Sequence, residues 1–293
     1  MTFNTFEMRT RSLLFYVVLG IFVLSCKDNN PTPPQQEQLT ENYLLGNPSK
    51  ATKVISNTDN YLLVKNQFVL SYNSTMGRSN WVSWHLAAQW LGSVPRQDDF
   101  RPDNDLPAEF YRPGAQAFSG TGFDRGHLCP SSDRDATVVD NSATFVMSNM
   151  IAQAPDVNQQ NWAKLEIYCR KLVSQGNELY IISGGAGEGG FGSNSSSLPT
   201  KMIDNGRIKV PSKCWKIIVV LPNGSDDLER INDQTRVIAV NIPNDQKVGF
   251  NSWGNFRVSV RDLESLTGYN FLSQLPSGLQ DILEKRVDNG PTQ

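Results

Sequence analysis

"FDRGHLCPSSDRDAT", Phe123 to Thr137, is a charged, turn-prone stretch holding one of only two histidines in a chain of 293 residues. His127 stands between Gly126 and Leu128, with Asp124, Arg125, Asp133, Arg134 and Asp135 around it. A structural histidine is expected in an apolar run, and the other one fits that description: His85, in "NWVSWHL", is flanked by Trp84 and Leu86 and reads as a buried strand residue. His127 reads differently. An imidazole takes a proton from water near neutral pH. An adjacent arginine binds a phosphate oxygen with its two-pronged guanidinium, and a glycine lets the backbone come close.

A second motif follows in "DVNQQNWAKLE", Asp156 to Glu166. Asn158, Trp162 and Glu166 are four apart, so on a helix they share one face. Asn158 offers a hard oxygen ligand and Glu166 a carboxylate. Magnesium needs little more from a protein, because it keeps most of its waters.

"DRGH", then "SN" at Ser148 and Asn149, then the N-x-x-x-W-x-x-L-E helix together resemble the DNA/RNA non-specific endonuclease family, the ββα-metal nucleases of the Serratia and endonuclease G type. "NWVSWHL" and the C-terminal "LTGYNF" are also similar to family segments, and the resemblance runs from about Tyr61 to Val287. It implies a metal-dependent, sugar-non-specific endonuclease that hydrolyses phosphodiester bonds of DNA and RNA with Mg2+, or Mn2+ in its place. It also implies roles. His127 matches the general base, and Asn158 the one direct protein ligand of the metal. Glu166 matches the acid that holds water on that metal, Arg125 a phosphate-orienting residue, and Asn149 a supporting asparagine. Arg96, in "VPRQDDF", matches the arginine that stabilises the transition state, with Arg101 as the competing position. Asp124 is expected to brace the motif. Where the family pattern places a proline, this chain has Ala152, followed by Pro155.

Composition sets bounds on this reading. Hydrophobic residues make up 39% and charged residues 19%, enough for a substantial core. Lys and Arg total 27 against 29 Asp and Glu, a net charge of -2, so no global basic field draws in nucleic acid and any phosphate site must be a local arginine cluster. Two other functions fit the same residues: a phosphodiesterase or pyrophosphatase on small nucleotides, favoured by a closed pocket, and a catalytically dead surface lipoprotein that binds nucleic acid. The second has no use for a general base.

The N-terminus reads as an export signal. Arg9 and Arg11 precede the apolar run Leu13 to Cys26, which is short for a bilayer span and of the right length for a secretory segment. Its end, "VLSC", resembles a bacterial lipobox, which implies cleavage after Ser25, a lipid on Cys26 and anchoring to a bacterial membrane facing the periplasm or cell exterior. The expected organisation is a lipoprotein signal peptide over 1–25, a polar, proline-rich tether over 26–58 and the endonuclease domain over 59–290. Export to an oxidising compartment implies one disulfide and one leftover thiol among Cys129, Cys169 and Cys214. The sequence leaves the pairing open; Cys169–Cys214 is the pair expected.

Within the domain, "YLLVKNQFVLSYN" and "SNWVSWHLAAQWL" alternate like strands, and "ELYIISGG", "CWKIIVVL" and "TRVIAVNIP" are further strand candidates. A helix is expected through Trp162, Leu165, Cys169 and Leu172 to a stop at Gly176, and one or two helices end the chain. "GGAGEGGFGSNSSS" lacks the Gly-Lys-Ser/Thr of a phosphate-binding loop and reads as a mobile surface loop. The fold class is α+β, a central, mainly antiparallel sheet flanked by helices.

Overall fold

The computed structural model describes residues 1–2, 40–195, 197–249 and 251–293. The apolar run of the export signal, Cys26 and the proline-rich stretch up to residue 39 lie outside the described residues. In chain order the strands are β1 (Tyr61–Val64), β2 (Val69–Asn73), β3 (Arg78–Leu86), β4 (Asp124–His127), β5 (Met150–Gln153), β6 (Asn177–Ala186), β7 (Met202–Ile203), β8 (Ile208–Lys209), β9 (Lys213–Pro222), β10 (Arg236–Pro243) and β11 (Arg257–Val258). The helices are α1 (Val138–Ala143), α2 (Ala163–Ser174), α3 (Asp227–Arg230), α4 (Val260–Thr267) and α5 (Ser277–Lys285).

Seven of these strands form one sheet in the order β1-β2-β3-β6-β9-β10-β11, every neighbouring pair antiparallel. This is the expected α+β architecture. The central strands read as continuous apolar runs because both faces of the sheet are covered. Side chains alternate between faces along a strand. On β3 and β9, Val82, Trp84, Leu86, Cys214 and Ile218 join the core beneath α2, with Trp162, Leu165, Cys169 and Leu172. The alternate residues Trp81, Trp215, Ile217 and Val219 join a second core with Val260, Leu263 and Leu283 from the C-terminal helices and Phe271 from the turn between them. Helix α4 starts cleanly because Ser259 and Asp262 cap each other's backbone N–H groups.

The folded unit begins earlier than the sequence suggested. Residues 39–293 form one compact unit, so the stretch 40–58 is not tether. Tyr43 and Ala51 enter the second core, and polar side chains fasten the rest. Asn47 donates to the Ala51 carbonyl at 2.8 Å, Asn60 to the Ser49 carbonyl at 2.7 Å, and the Trp81 indole to the Ser49 hydroxyl at 2.8 Å. A segment held by amide side chains has no apolar periodicity to reveal it.

Two further expectations are corrected. Cys129, Cys169 and Cys214 are all free and buried, so the Cys169–Cys214 disulfide is absent. Burial pushes each thiol up to about 12, and the three pack as small apolar side chains, Cys169 from α2 and Cys214 from β9 into the same core. The glycine-rich loop, as far as it is described, is pinned rather than loose. Gly190 bridges Thr200 and Phe191 bridges Asp245. Ser193 N–H donates to the Gly122 carbonyl at 2.8 Å, and a Cβ on Gly192 would meet that same oxygen at 2.4 Å. The glycines serve close packing against the approach to β4.

Buried free thiols give a direct expectation. In a protein spanning residues 39–293, a thiol reagent labels no cysteine in the native state and three on unfolding, and reductant leaves Tm unchanged. Labelling of one cysteine on unfolding, with Tm lowered by reductant, would restore the disulfide.

Candidate active site

The DRGH residues are strand β4, which pairs antiparallel with β5 so that Arg125 faces Ala152 and His127 faces Met150. This strand pair is separate from the large sheet. Asn149, fully buried, locks its end. Its side chain accepts from Cys129 N–H at 3.0 Å and donates to the carbonyls of Cys129 and Thr144 at 2.8 and 2.9 Å. Leu128 N–H donates to the Asn149 carbonyl. The amide is wholly engaged with backbone, so Asn149 supports the turn after His127 and does not face a substrate. Gly126 is required by contact: a Cβ there would lie 2.0 Å from Oε1 of Gln153.

The Asn158 segment departs from a regular helix. Val157–Trp162 is one π-helical stretch leading into α2. The wide turn sends Trp162 inward, where its indole donates to the His127 carbonyl at 3.2 Å. Asn158 stays at the surface and donates through Nδ2 to Asp124 Oδ2 at 2.9 Å, where Gln159 also donates. Asp124 therefore braces the motif against the helix, as expected. Asn158 Oδ1 keeps no hydrogen-bond partner among the described residues.

Arg96, Phe100, Phe123, Asp124, Arg125 and Asn158 line one polar groove of about 320 Å³. Two phenylalanines, absent from the sequence reading, organise it. The His127 ring lies edge-on to Phe100 and Phe145, at 5.6 and 5.0 Å. The Arg125 guanidinium lies 3.9 Å over Phe100 and that of Arg96 4.7 Å over Phe145. Arg96 is further held by Asp98 at 2.6 Å and Ser131 at 2.9 Å. Arg101 pairs with Asp99 and lines a different groove with Lys65 and Asp103, so of the two competing arginines the structure brings Arg96 to the site. Glu166, on α2, is largely enclosed. Its near neighbour is a residue the sequence reading passed over, Lys216 of β9, with Nζ 3.6 Å from Oε1.

A model of the DNA/RNA non-specific endonuclease family matches residues 46–278. The chain belongs to that family. It is 49% identical over 275 residues to a nuclease of Nostoc sp., covering 92% of this chain and 96% of that one. It is 31% identical over 218 residues to nuclease C1 of Cunninghamella echinulata var. echinulata, covering 73% and 83%. Among solved structures, that of an EndoG/EndoGI complex matches with a TM-score of 0.63 at 22% identity, over 75% of this chain and 89% of the matched one, and shares its fold.

The electrostatics of this nuclease are set by burial. His127 is pushed down to about 3 by desolvation first, then by the charges of Arg96 and Arg125. Its imidazole is therefore neutral through the physiological range and free to accept a proton. Nε2 is enclosed without a partner. Glu166 is raised to about 7, chiefly by desolvation; Asp133 adds to this, and Lys216 and Arg170 oppose it. Elsewhere, His85, Glu178 and Asp227 form the one cluster of three such donors among the described residues with spacing for a cation. Arg230 already spans its two carboxylates, and His85 bonds Glu178 at 2.9 Å while stacking on Tyr180. His85 is a buried strand residue, as its sequence setting implied.

The two shifted groups act oppositely on stability. His127 binds its proton at 6.5 when unfolded and near 3 when folded, so its contribution is full above 6.5 and is lost as pH falls toward 3. Glu166, raised from 4.5 to about 7, favours the folded state as pH falls through 7 to 4.5. His127→Gln removes only the first. Relative to wild type, its Tm rises as pH drops from 7 to 5, by at most about 1.4 kcal/mol of stability per pH unit. A pH-independent difference in Tm would show that His127 is not held neutral by its surroundings.

Proposed function

We propose that this nuclease is a metal-dependent, sugar-non-specific endonuclease in which His127 is the general base. The observation that carries the reading is an enclosed imidazole that feels the charges of Arg96 and Arg125, the two arginines lining the groove that also holds Asn158. The proton of the attacking water passes to Nδ1, the ring nitrogen that is not enclosed. His127 is a weak base because it is buried and because the charges of Arg96 and Arg125 act on it. A bound phosphodiester neutralises those charges, raises the imidazole and draws it toward the range where a base is effective. The arginines then stabilise the negative charge that develops on the phosphoryl oxygens, and their stacking on Phe100 and Phe145 preorganises them.

The donor set fits a hard divalent cation such as Mg2+ or Mn2+. Asn158 presents an unpaired carbonyl oxygen, and Glu166 Oε1 is buried without a hydrogen-bond partner. Bound there, the cation supplies Lewis-acid polarisation of the phosphoryl group and stabilises the leaving oxygen. Asp124 orients Asn158 for this task, and the Trp162 bond to His127 keeps ligand and base in one frame. The groove offers Arg96 and Arg125 to phosphate, and contacts to phosphate carry no base identity, which supports cleavage of both DNA and RNA.

Cleavage of supercoiled plasmid by residues 39–293 tests the reading. Nicking requires added Mg2+, stops with EDTA, and falls on the order of 10²- to 10⁴-fold in His127→Ala. An intact plasmid with cleavage of small phosphodiesters would move the activity to nucleotide substrates. Full activity in the variant would remove His127 as the base.

We further propose that the chain is exported and lipid-anchored through Cys26, on the strength of Arg9, Arg11, the apolar run and "VLSC". Cells fed radiolabelled palmitate label the wild-type protein and not Cys26→Ser; equal labelling would refute the anchor.

A further inference from the structure

On β9, Cys214 and Ile218 belong to the core under α2. Between them on the same face of the strand stands Lys216, 1% exposed. An ammonium in such a place is costly unless its charge is answered. Its Nζ lies 4.2 Å from the ring centre of Trp162 and 5.3 Å from that of Trp84. Glu166, at 3.6 Å, is its one ion-pair partner among the described residues. The other charges near Glu166 are Asp133, from the turn after β4, and Arg170, one turn further along α2. Those two satisfy each other: Arg170 donates to Asp133 at 2.9 Å, and the second Asp133 oxygen accepts from the Trp84 indole at 3.0 Å. Lys216 is thus left to Glu166. At 3.6 Å it answers the charge without closing a short hydrogen bond, so the carboxylate lone pairs stay available.

We propose that Lys216 is a positioning residue for the nuclease reaction: its ammonium, held against Trp84 and Trp162 and 3.6 Å from Glu166, keeps the Glu166 carboxylate in place for the site. This rests on the role given to Glu166 above. Lys216 is enclosed and touches no substrate. A lysine suits the position because a compact charge fits between two indole faces, where the broad fork of an arginine does not. Trp162 links the pair to the rest of the site, since the same indole bonds the His127 carbonyl.

The test is a double-mutant cycle with Lys216→Met, Glu166→Gln and the pair, read by denaturant unfolding in EDTA and by plasmid cleavage in Mg2+. Lys216→Met lowers kcat by about 10- to 100-fold, the range for residues that orient a metal site's ligands, with KM for DNA changed less than about threefold. In the Glu166→Gln background Lys216→Met costs no further activity, and the double variant is more stable in EDTA than the two single losses predict.

Undiminished kcat in Lys216→Met, or losses that simply add in both readouts, would leave Lys216 a core residue and overturn the proposal. Full activity of Glu166→Gln overturns the role of Glu166 itself, and with it any part of Lys216 in the reaction; this is separable from a failure confined to Lys216. If Lys216→Met alone does not fold, the double variant decides. Its folding shows that the lysine is needed because Glu166 is charged; its failure to fold shows the need is independent of Glu166 and refutes the pairing.

Discussion

The indole of Trp162 donates to the main-chain carbonyl of His127, and the two halves of the site are held in register by that bond. One half is the β4–β5 pair, which carries His127 and Arg125. The other is the helical segment with Asn158 and Glu166. Neither belongs to the large sheet, which is built for burial on both faces. The sheet acts as a floor: Trp84 and Lys216 rise from it to meet Trp162, and the strand pair and helix are fastened to each other above it. The Asp124–Asn158 bond at the surface repeats the link beneath, so the joint has a buried and an exposed fastening.

Around this joint the nuclease gathers charges, one of them, Lys216, fully buried. Each has a stated answer. Arg96 and Arg125 lie on phenylalanine faces, Lys216 faces Glu166, and Arg170 faces Asp133. His127 carries the cost of their presence, its proton affinity held down by burial and by two cations. A substrate that brings negative charge relieves that cost, so part of the binding energy is spent at the reacting centre.

The residues proposed to do the chemistry stood out in the sequence because their types are constrained by the task. A base, a hard oxygen donor, an acid and phosphate-binding arginines stand in short motifs at fixed spacing, and the central strands announce themselves as apolar runs. The supporting parts were hidden for physical reasons. Phe100 and Phe145 look like any core aromatics until folding brings their edges to His127. Lys216 is one polar letter in "CWKIIVVL", and only burial makes it unusual. Residues 40–58 are attached by asparagine and serine side chains, which leave no hydropathy pattern. The cysteines misled, because the expectation of export with three thiols invites a bridge that the packed core does not need.

The π-helical stretch Val157–Trp162 has a consequence for how the chain can vary. Such a turn is what an α-helix becomes when it accommodates one residue too many. Gln159 and Gln160 are exposed and would ordinarily tolerate any change. Losing either would let the turn relax to regular pitch and swing Asn158 by about 100° around the axis, away from Asp124 and the groove. A substitution of Gln160 leaves the turn's length unchanged, whereas an insertion or deletion there alters where Asn158 points.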